Sequence, residues 1–202
     1  MSTRLKKIGA GCDIWGKHRL DLAIYIRDNI LNTIYYTWFI ENGTLLGAWR
    51  NNSFIAHDDD FDIGILIDSE FEILNIFKQI YNSLNNKYKV RLVNTYASKL
   101  EIYDESYGAY ILPGEKYNGH DFHYVTLDIQ FYLKKGNLYE CLYFINPNKR
   151  LIDKTIISPT KHIILEGESF NSPSNTEQFL IKSYGSIDTN ATYNPETGLY
   201  EI

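Results

Sequence analysis

The sequence predicts an α/β fold of the α+β kind: a mixed central sheet flanked by helices, in one domain. Three observations carry that prediction. Strand-length runs of β-branched and aromatic residues recur along the chain, and amphipathic helical segments separate only some of them. The longest run, FHYVTLDIQFYL from Phe122 to Leu133, turns back through Lys134-Lys135-Gly136-Asn137 into LYECLYF as a hairpin. Helical crossovers in some places and tight turns in others imply both parallel and antiparallel pairs. At 202 residues, with no internal repeat, low-complexity tract or linker, the expectation is one domain over 1–202, with a core of about 18–186 and a tail of 187–202.

Each element has its own signal. His18 to Asn32 places Leu20, Ala23, Ile24, Ile30 and Leu31 at helical spacing. Ile34 to Ile40, IYYTWFI, reads as a strand, and Asn42-Gly43 punctuates it. Thr44 is placed to cap a short helix, TLLGAWR. Asp62 to Asp68, DIGILID, is the next strand, and Ser69 opens a helix to about Leu84 on apolar Phe71, Leu74, Phe77 and Ile80. Val90 to Thr95 and Leu100 to Tyr103 read as short strands, and Tyr107 to His120, rich in Gly, Tyr and Pro, as a loop. Toward the C-terminus, Asn175 or Thr176 opens a helix to about Ser183.

Composition narrows the function class. A net charge of −5 argues against a nucleic-acid partner held by bulk electrostatics. Cys12 and Cys141 form neither a disulfide framework nor a paired-cysteine zinc site. The N-terminus lacks the apolar segment of a signal peptide, and no apolar run approaches the ~20 residues that span a bilayer. The expectation is a soluble protein of the cytoplasm or another intracellular compartment.

The chemistry concentrates in GTLLGAWRNNSFIAHDDDFDIGI, Gly43 to Ile65, where Asp58, Asp59, Asp60 and Asp62 precede an apolar strand. In a strand, residues two apart share a face, so Asp60 and Asp62 point one way and Phe61, Ile63 and Ile65 the other. Paired carboxylates of this kind suit Mg²⁺ or Mn²⁺, which prefer oxygen ligands and substrate phosphates. Asp58 has the parity to join them as an outer ligand, and Asp59 does not. Upstream, Gly43-Thr44 lies where a strand gives way to a helix, a place whose free N–H groups favour a phosphate. Arg50 is a candidate for another phosphate oxygen, His57 for a phosphate or an aspartate. Asp128 interrupts the long strand in TLDIQF, where an aspartate is disfavoured unless paired.

Plainer readings exist for each. Asp60 and Asp62 alone would read as a solvated strand end or a calcium loop, and Asp128 as a buried structural carboxylate. Arg50 reads equally well as an ion-pair residue and His57 as a supporting side chain. His120 and His123 lie in GHDFHY with no cysteine pair near them, which favours structure or acceptor contact over zinc. Glu166-Gly167 and Tyr184-Gly185 are explained by a turn glycine and a core tyrosine.

The combination of Gly-Thr at a helix start, Asp-x-Asp on the next strand and a lone Asp on a later one resembles the nucleotidyltransferase superfold of the DNA polymerase β type. Within it, GTLLGAWRNNSFIAHDDDFDIGI resembles the signature of the LicD/fukutin-like family. LEGESFNSPSNTEQFLIKSYG is similar to that family's closing motif, and the likeness spans about Tyr35 to Ser186. Ala56-His57 stands where the family usually has Pro-Trp, and Asn51-Asn52-Ser53 where a His and a Gly are commoner. The resemblance implies metal-dependent transfer of a phospho-alcohol, phosphocholine or a polyol phosphate, from a CDP-activated donor to a glycan or other hydroxyl acceptor, with release of CMP. It implies that Asp60, Asp62 and Asp128 hold Mg²⁺ or Mn²⁺, as two ions, and that Asp128 lowers the pKa of, or accepts the proton from, the acceptor hydroxyl. Two alternatives stand beside it: transfer of NMP from an NTP, and a catalytically silent relative that binds glycan or serves as a scaffold.

Overall fold

The computed structural model describes residues 13–56, 58–93, 98–110, 122–143, 151–194, 196–197 and 199–202. His57 and His120 lie outside them, as does the side chain of His123. The chain runs α1 (Asp13–Ile26), a π-helical extension (Arg27–Leu31), β1 (Trp38–Ile40), α2 (Asn42–Asn51), β2 (Asp60–Ile67), α3 (Phe71–Ser83), β3 (Tyr88–Val93) and β4 (Lys99–Tyr110). It continues through β5 (Phe122–Lys135), β6 (Leu138–Cys141), β7 (Leu151–Asp153), α4 (Lys154–Ile157), β8 (Lys161–Leu165), β9 (Glu168–Ser172), α5 (Thr176–Tyr184), β10 (Thr192–Asn194) and β11 (Leu199–Glu201).

The main sheet has the order β1-β2-β5-β4-β3, with β6 on the far end of β5 and β7 beside β6. Every pair in it is antiparallel except β2 and β5, which run parallel at its centre. Two hairpins, β8–β9 and β10–β11, lie outside it. The fold is therefore the mixed α/β arrangement the sequence predicts.

One face of the central pair is apolar. Phe61, Ile63, Ile65, Leu127, Ile129 and Phe131 are all at most 1% exposed. Helix α1 packs over them, and Phe61 meets the rings of Phe54 and Phe170. Truncating such a ring to alanine costs about 3–5 kcal/mol, so this layer fixes how the two central strands sit. On the other face Phe39, Tyr132 and Phe179 join ring to ring, which docks α5 on the sheet.

Several element boundaries differ from expectation. Only Trp38–Ile40 of the IYYTWFI run is strand, because the first helix closes with turn bonds from Thr33 and Ile34 to the Ile30 carbonyl and leaves Tyr35 in solvent. Helix α3 buries Ile73, Ile76 and Ile80 and packs Phe77 against the core, so Phe77 and Ile80 face inward as read in the sequence, while Phe71 and Leu74 are exposed. Tyr107 to Tyr110, read as loop, extends β4 across a register shift between Tyr103 and Gly108 and pairs with Phe122–Tyr124. The rest of that expected loop lies outside the described residues. Helix α2 starts at Asn42 with Glu41 as its cap residue, not with Thr44.

Candidate metal and phosphate site

The parallel pairing of β2 and β5 puts Asp62 directly beside Asp128, while Asp60 faces Thr126 one step along the same side. Adjacent strands lie ~4.8 Å apart, which brings carboxylates on one face into reach of a shared ion. One oxygen from each of Asp60, Asp62 and Asp128 lies within 4.8 Å of the other two. Asp62 is 5% and Asp128 2% exposed, so both are carboxylates inside the sheet rather than on its surface.

Such a cluster resists ionisation. Burial pushes the Asp60 carboxyl up to about 7, with Asp58 and Asp59 adding repulsion. Burial likewise pushes Asp128 up to about 7, against the pull of Lys99 and with the repulsion of Asp60 and Glu101. Asp62 rises well above the ordinary carboxylate range, from burial and then from Asp60, Asp58 and Asp128. A divalent cation removes this cost by supplying the missing positive charge. Among the described residues, Oδ1 of Asp128 is a buried oxygen with no hydrogen-bond partner, the kind of orphan acceptor a metal would complete. The donor set is all carboxylate, which fits a hard cation.

The Gly43–Ile65 stretch folds back on itself through close contacts. The Thr44 hydroxyl, fully buried, accepts the backbone N–H of Asp62 at 3.0 Å. It braces the metal-side strand from behind rather than lining the cleft. A Cβ on Gly43 would lie 2.4 Å from Oδ2 of Asp58, so the glycine lets this carboxylate sit against the first turn of α2. The anion expected at that helix start is thus met by the chain's own Asp58. A Cβ on Gly47 would lie 2.4 Å from the Ser53 carbonyl, and Asn52 turns the chain there at φ 54°. Glu166, in the β8–β9 turn, accepts from Phe54 N–H at 2.9 Å and donates its own N–H to the Asn52 carbonyl at 2.8 Å.

Asp59 also lines the cleft, and one oxygen each from Asp58, Asp59 and Asp60 lies within 4.8 Å of the others. The parity argument that set Asp59 aside holds only inside a strand. Strand β2 begins at Asp60, and a turn bond from Asp58 N–H to the Ile55 carbonyl shapes the approach.

Four features behind the aspartates were not read from the sequence. The Lys99 ammonium is bonded to Oδ2 of Asp128 and lies 3.0 Å from Glu101, itself held by Arg91 Nε at 2.6 Å. Gln130 donates to Oδ1 of Asp62 at 3.3 Å. Glu41, fully buried, accepts from the Tyr132 hydroxyl. Arg19, also fully buried, donates to the Asp58 carbonyl at 3.5 Å. Gln130 alone had a local signal, since it follows Asp128 by two in the same strand.

The cleft above these residues encloses about 630 Å³. Asn42 and Gly43 of α2 form one wall, and Tyr143, Tyr184 and Tyr200 supply aromatic surface. Arg50 does not stand free toward a phosphate. Its Nε and one terminal nitrogen donate to the carbonyls of Ile187 and Asp188 at 3.0 Å each, which ties the C-terminal segment across the cleft. Ser186 N–H to the Tyr200 carbonyl, at 2.7 Å, adds the β10–β11 hairpin to that wall.

Two proteins of the genus Rickettsia show sequence similarity. The chain is 40% identical over 68 residues to "Uncharacterized protein RP689" of Rickettsia prowazekii (strain Madrid E), which is 33% of this chain and 26% of that protein. It is 48% identical over 60 residues to "Uncharacterized protein RT0683" of Rickettsia typhi (strain ATCC VR-144 / Wilmington), 28% of this chain and 19% of that protein. The chain thus matches about a quarter and about a fifth of these relatives' lengths. Residues 35–175, well over half of the chain, match the family described as LicD/FKTN/FKRP, nucleotidyltransferase domain. The chain belongs to the LicD/FKTN/FKRP nucleotidyltransferase-domain family.

Proposed function

We propose that the chain is a metal-dependent phosphotransferase that moves a phospho-alcohol, phosphocholine or a polyol phosphate, from a CDP-activated donor to a hydroxyl of a glycan. Family membership supports a transferase of the LicD type. The observation that carries the finer reading is the in-register pair Asp62 and Asp128 with Asp60 beside them, buried under a cleft roomy enough for a nucleoside diphosphate ester.

In this reading Asp60, Asp62 and Asp128 hold Mg²⁺ or Mn²⁺, with Asp58 as an outer ligand. The bound cation supplies the charge that offsets the donor's diphosphate and its leaving group. The chain's residues do the rest. Asn42 and Gly43 form one wall of the cleft that takes the donor. Arg50 holds the C-terminal segment over it, and the tyrosines of the cleft shield the reacting phosphorus from water. Asp128 lowers the pKa of the acceptor hydroxyl, whose proton passes to solvent. The acceptor oxygen forms a bond to the phosphorus that carries the alcohol, the bond from that phosphorus to the bridging oxygen breaks, and CMP leaves with the electron pair.

The test is product analysis by mass spectrometry after incubation with Mn²⁺ and a panel of CDP-alcohols and NTPs. CMP with a free or transferred phospho-alcohol is the expected result. Pyrophosphate with an NMP-modified product would replace this reading by nucleotidyl transfer, and an intact donor panel would sink both.

A further inference from the structure

Lys99 sits where a two-ion site would need room. Its ammonium touches Oδ2 of Asp128, its side chain is 8% exposed, and it lies 3.0 Å from Glu101 and 5.5 Å from the centre of the Tyr143 ring. The placement is built by strand register: Lys99 stands opposite Gln130 and Glu101 opposite Asp128, all on the face that carries Asp62. Arg91 holds Glu101 from the other side, so Glu101 has a cation of its own and fixes Lys99 without depending on it for neutralisation.

Asp128 therefore presents two unlike oxygens. Oδ2 is taken by the ammonium; Oδ1 is buried and, among the described residues, without a hydrogen-bond partner. A carboxylate that serves two divalent ions ~3.5–4 Å apart needs open space around both oxygens or an unshared flank. Here one flank already carries a positive charge.

We infer that Lys99 is a positioning residue that takes the place of a second divalent ion beside Asp128, leaving a site that holds one ion through Asp60, Asp62 and Oδ1 of Asp128. The inference rests on the metal-dependent reading above and narrows it to one cation and a built-in lysine. Lys99 orients Asp128 so that Oδ1 faces the ion.

Electron paramagnetic resonance of the full chain titrated with Mn²⁺, alone and with CMP, tests it without relying on turnover. The expected wild-type spectrum is that of an isolated Mn²⁺, and Lys99→Met is expected to admit a second ion and show a spin-coupled pair. Lys99→Arg, which keeps the charge, is expected to restore the isolated-ion spectrum. A spin-coupled pair in the wild type would overturn the inference while leaving metal-dependent transfer standing. No bound Mn²⁺ in the wild type would overturn both. If Lys99→Met does not fold, the wild-type and Lys99→Arg spectra decide alone.

Discussion

The hydroxyl of Thr44 accepts the backbone N–H of Asp62 at 3.0 Å, joining the first turn of α2 to the strand that carries the metal-side carboxylates. Both partners are buried, so removing the hydroxyl strands an N–H inside the sheet. Thr44→Val is expected to lower unfolding free energy by about 1–3 kcal/mol, and Thr44→Ser by much less. Urea denaturation of the two variants measures the difference. Equal losses would show that methyl packing, not the hydrogen bond, is what Thr44 supplies.

Gly43 is held by space rather than by conformation. A Cβ there would come within 2.4 Å of the Asp58 carboxylate. Gly43→Ala is expected to fold, because the contact is to a side chain that can turn away, but to displace Asp58 and weaken Mn²⁺ binding several-fold. Gly47→Ala meets the Ser53 backbone instead and is expected to lose stability, by about 1–3 kcal/mol as overpacking usually does. Calorimetric Mn²⁺ titration and thermal melts separate the two.

Glu166 anchors the loop that delivers the aspartates, through Phe54 N–H at 2.9 Å. Glu166→Ala is expected to cost about 1.5–3 kcal/mol, the range for a hydrogen bond to a charged group. Glu166→Gln, which keeps the acceptor oxygen, is expected to recover most of it. Chemical denaturation of both variants decides whether the acceptor or the charge matters.

Stability should depend on pH in a direction set by the aspartates. Asp60 and Asp128 have folded values raised to about 7, above the ordinary ~3.9 of an unfolded aspartate. The folded state then binds protons that the unfolded state has released, so this contribution is full below about pH 4 and lost as pH rises through 7. Metal-free protein is expected to melt at falling temperature from pH 5.5 to 8. Saturating Mn²⁺ keeps the carboxylates ionised and is expected to flatten the slope. Parallel melts with EDTA and with Mn²⁺ measure it, and an equal slope in both would contradict the assignment.

Much of this site was legible because its signals are local. Alternation in DDDFDIGI separates Phe61 and Ile63 from Asp60 and Asp62, and an aspartate inside TLDIQF marks Asp128. The signals that were missed come from elsewhere in the chain. Thr44 finds its partner 18 residues on, and Lys99 finds Asp128 29 residues on, across a strand pair. Nothing in the residues around Lys99 announces a buried ammonium. Arg50 was read toward phosphate because the carbonyls it serves, those of Ile187 and Asp188, come from a C-terminal segment with no periodic pattern. Asp59 was set aside by a strand rule applied one residue before the strand begins.

The central claim is that Asp60 and the buried Asp62 and Asp128 exist to hold a cation, and Asp62→Asn tests it with two opposite signs. Thermal melts of wild type and variant, each with and without Mn²⁺ and CMP, are the measurement. In the wild type, ligand at 100 times its dissociation constant adds about 2.7 kcal/mol, a Tm rise on the order of 5–10 °C for a chain of this size. Asp62→Asn removes repulsion among buried carboxylates and keeps the oxygen that accepts from Gln130, so its metal-free Tm is expected to exceed that of the wild type, with no rise on adding Mn²⁺. A variant less stable than the wild type whose Tm still climbs with Mn²⁺ would contradict the account.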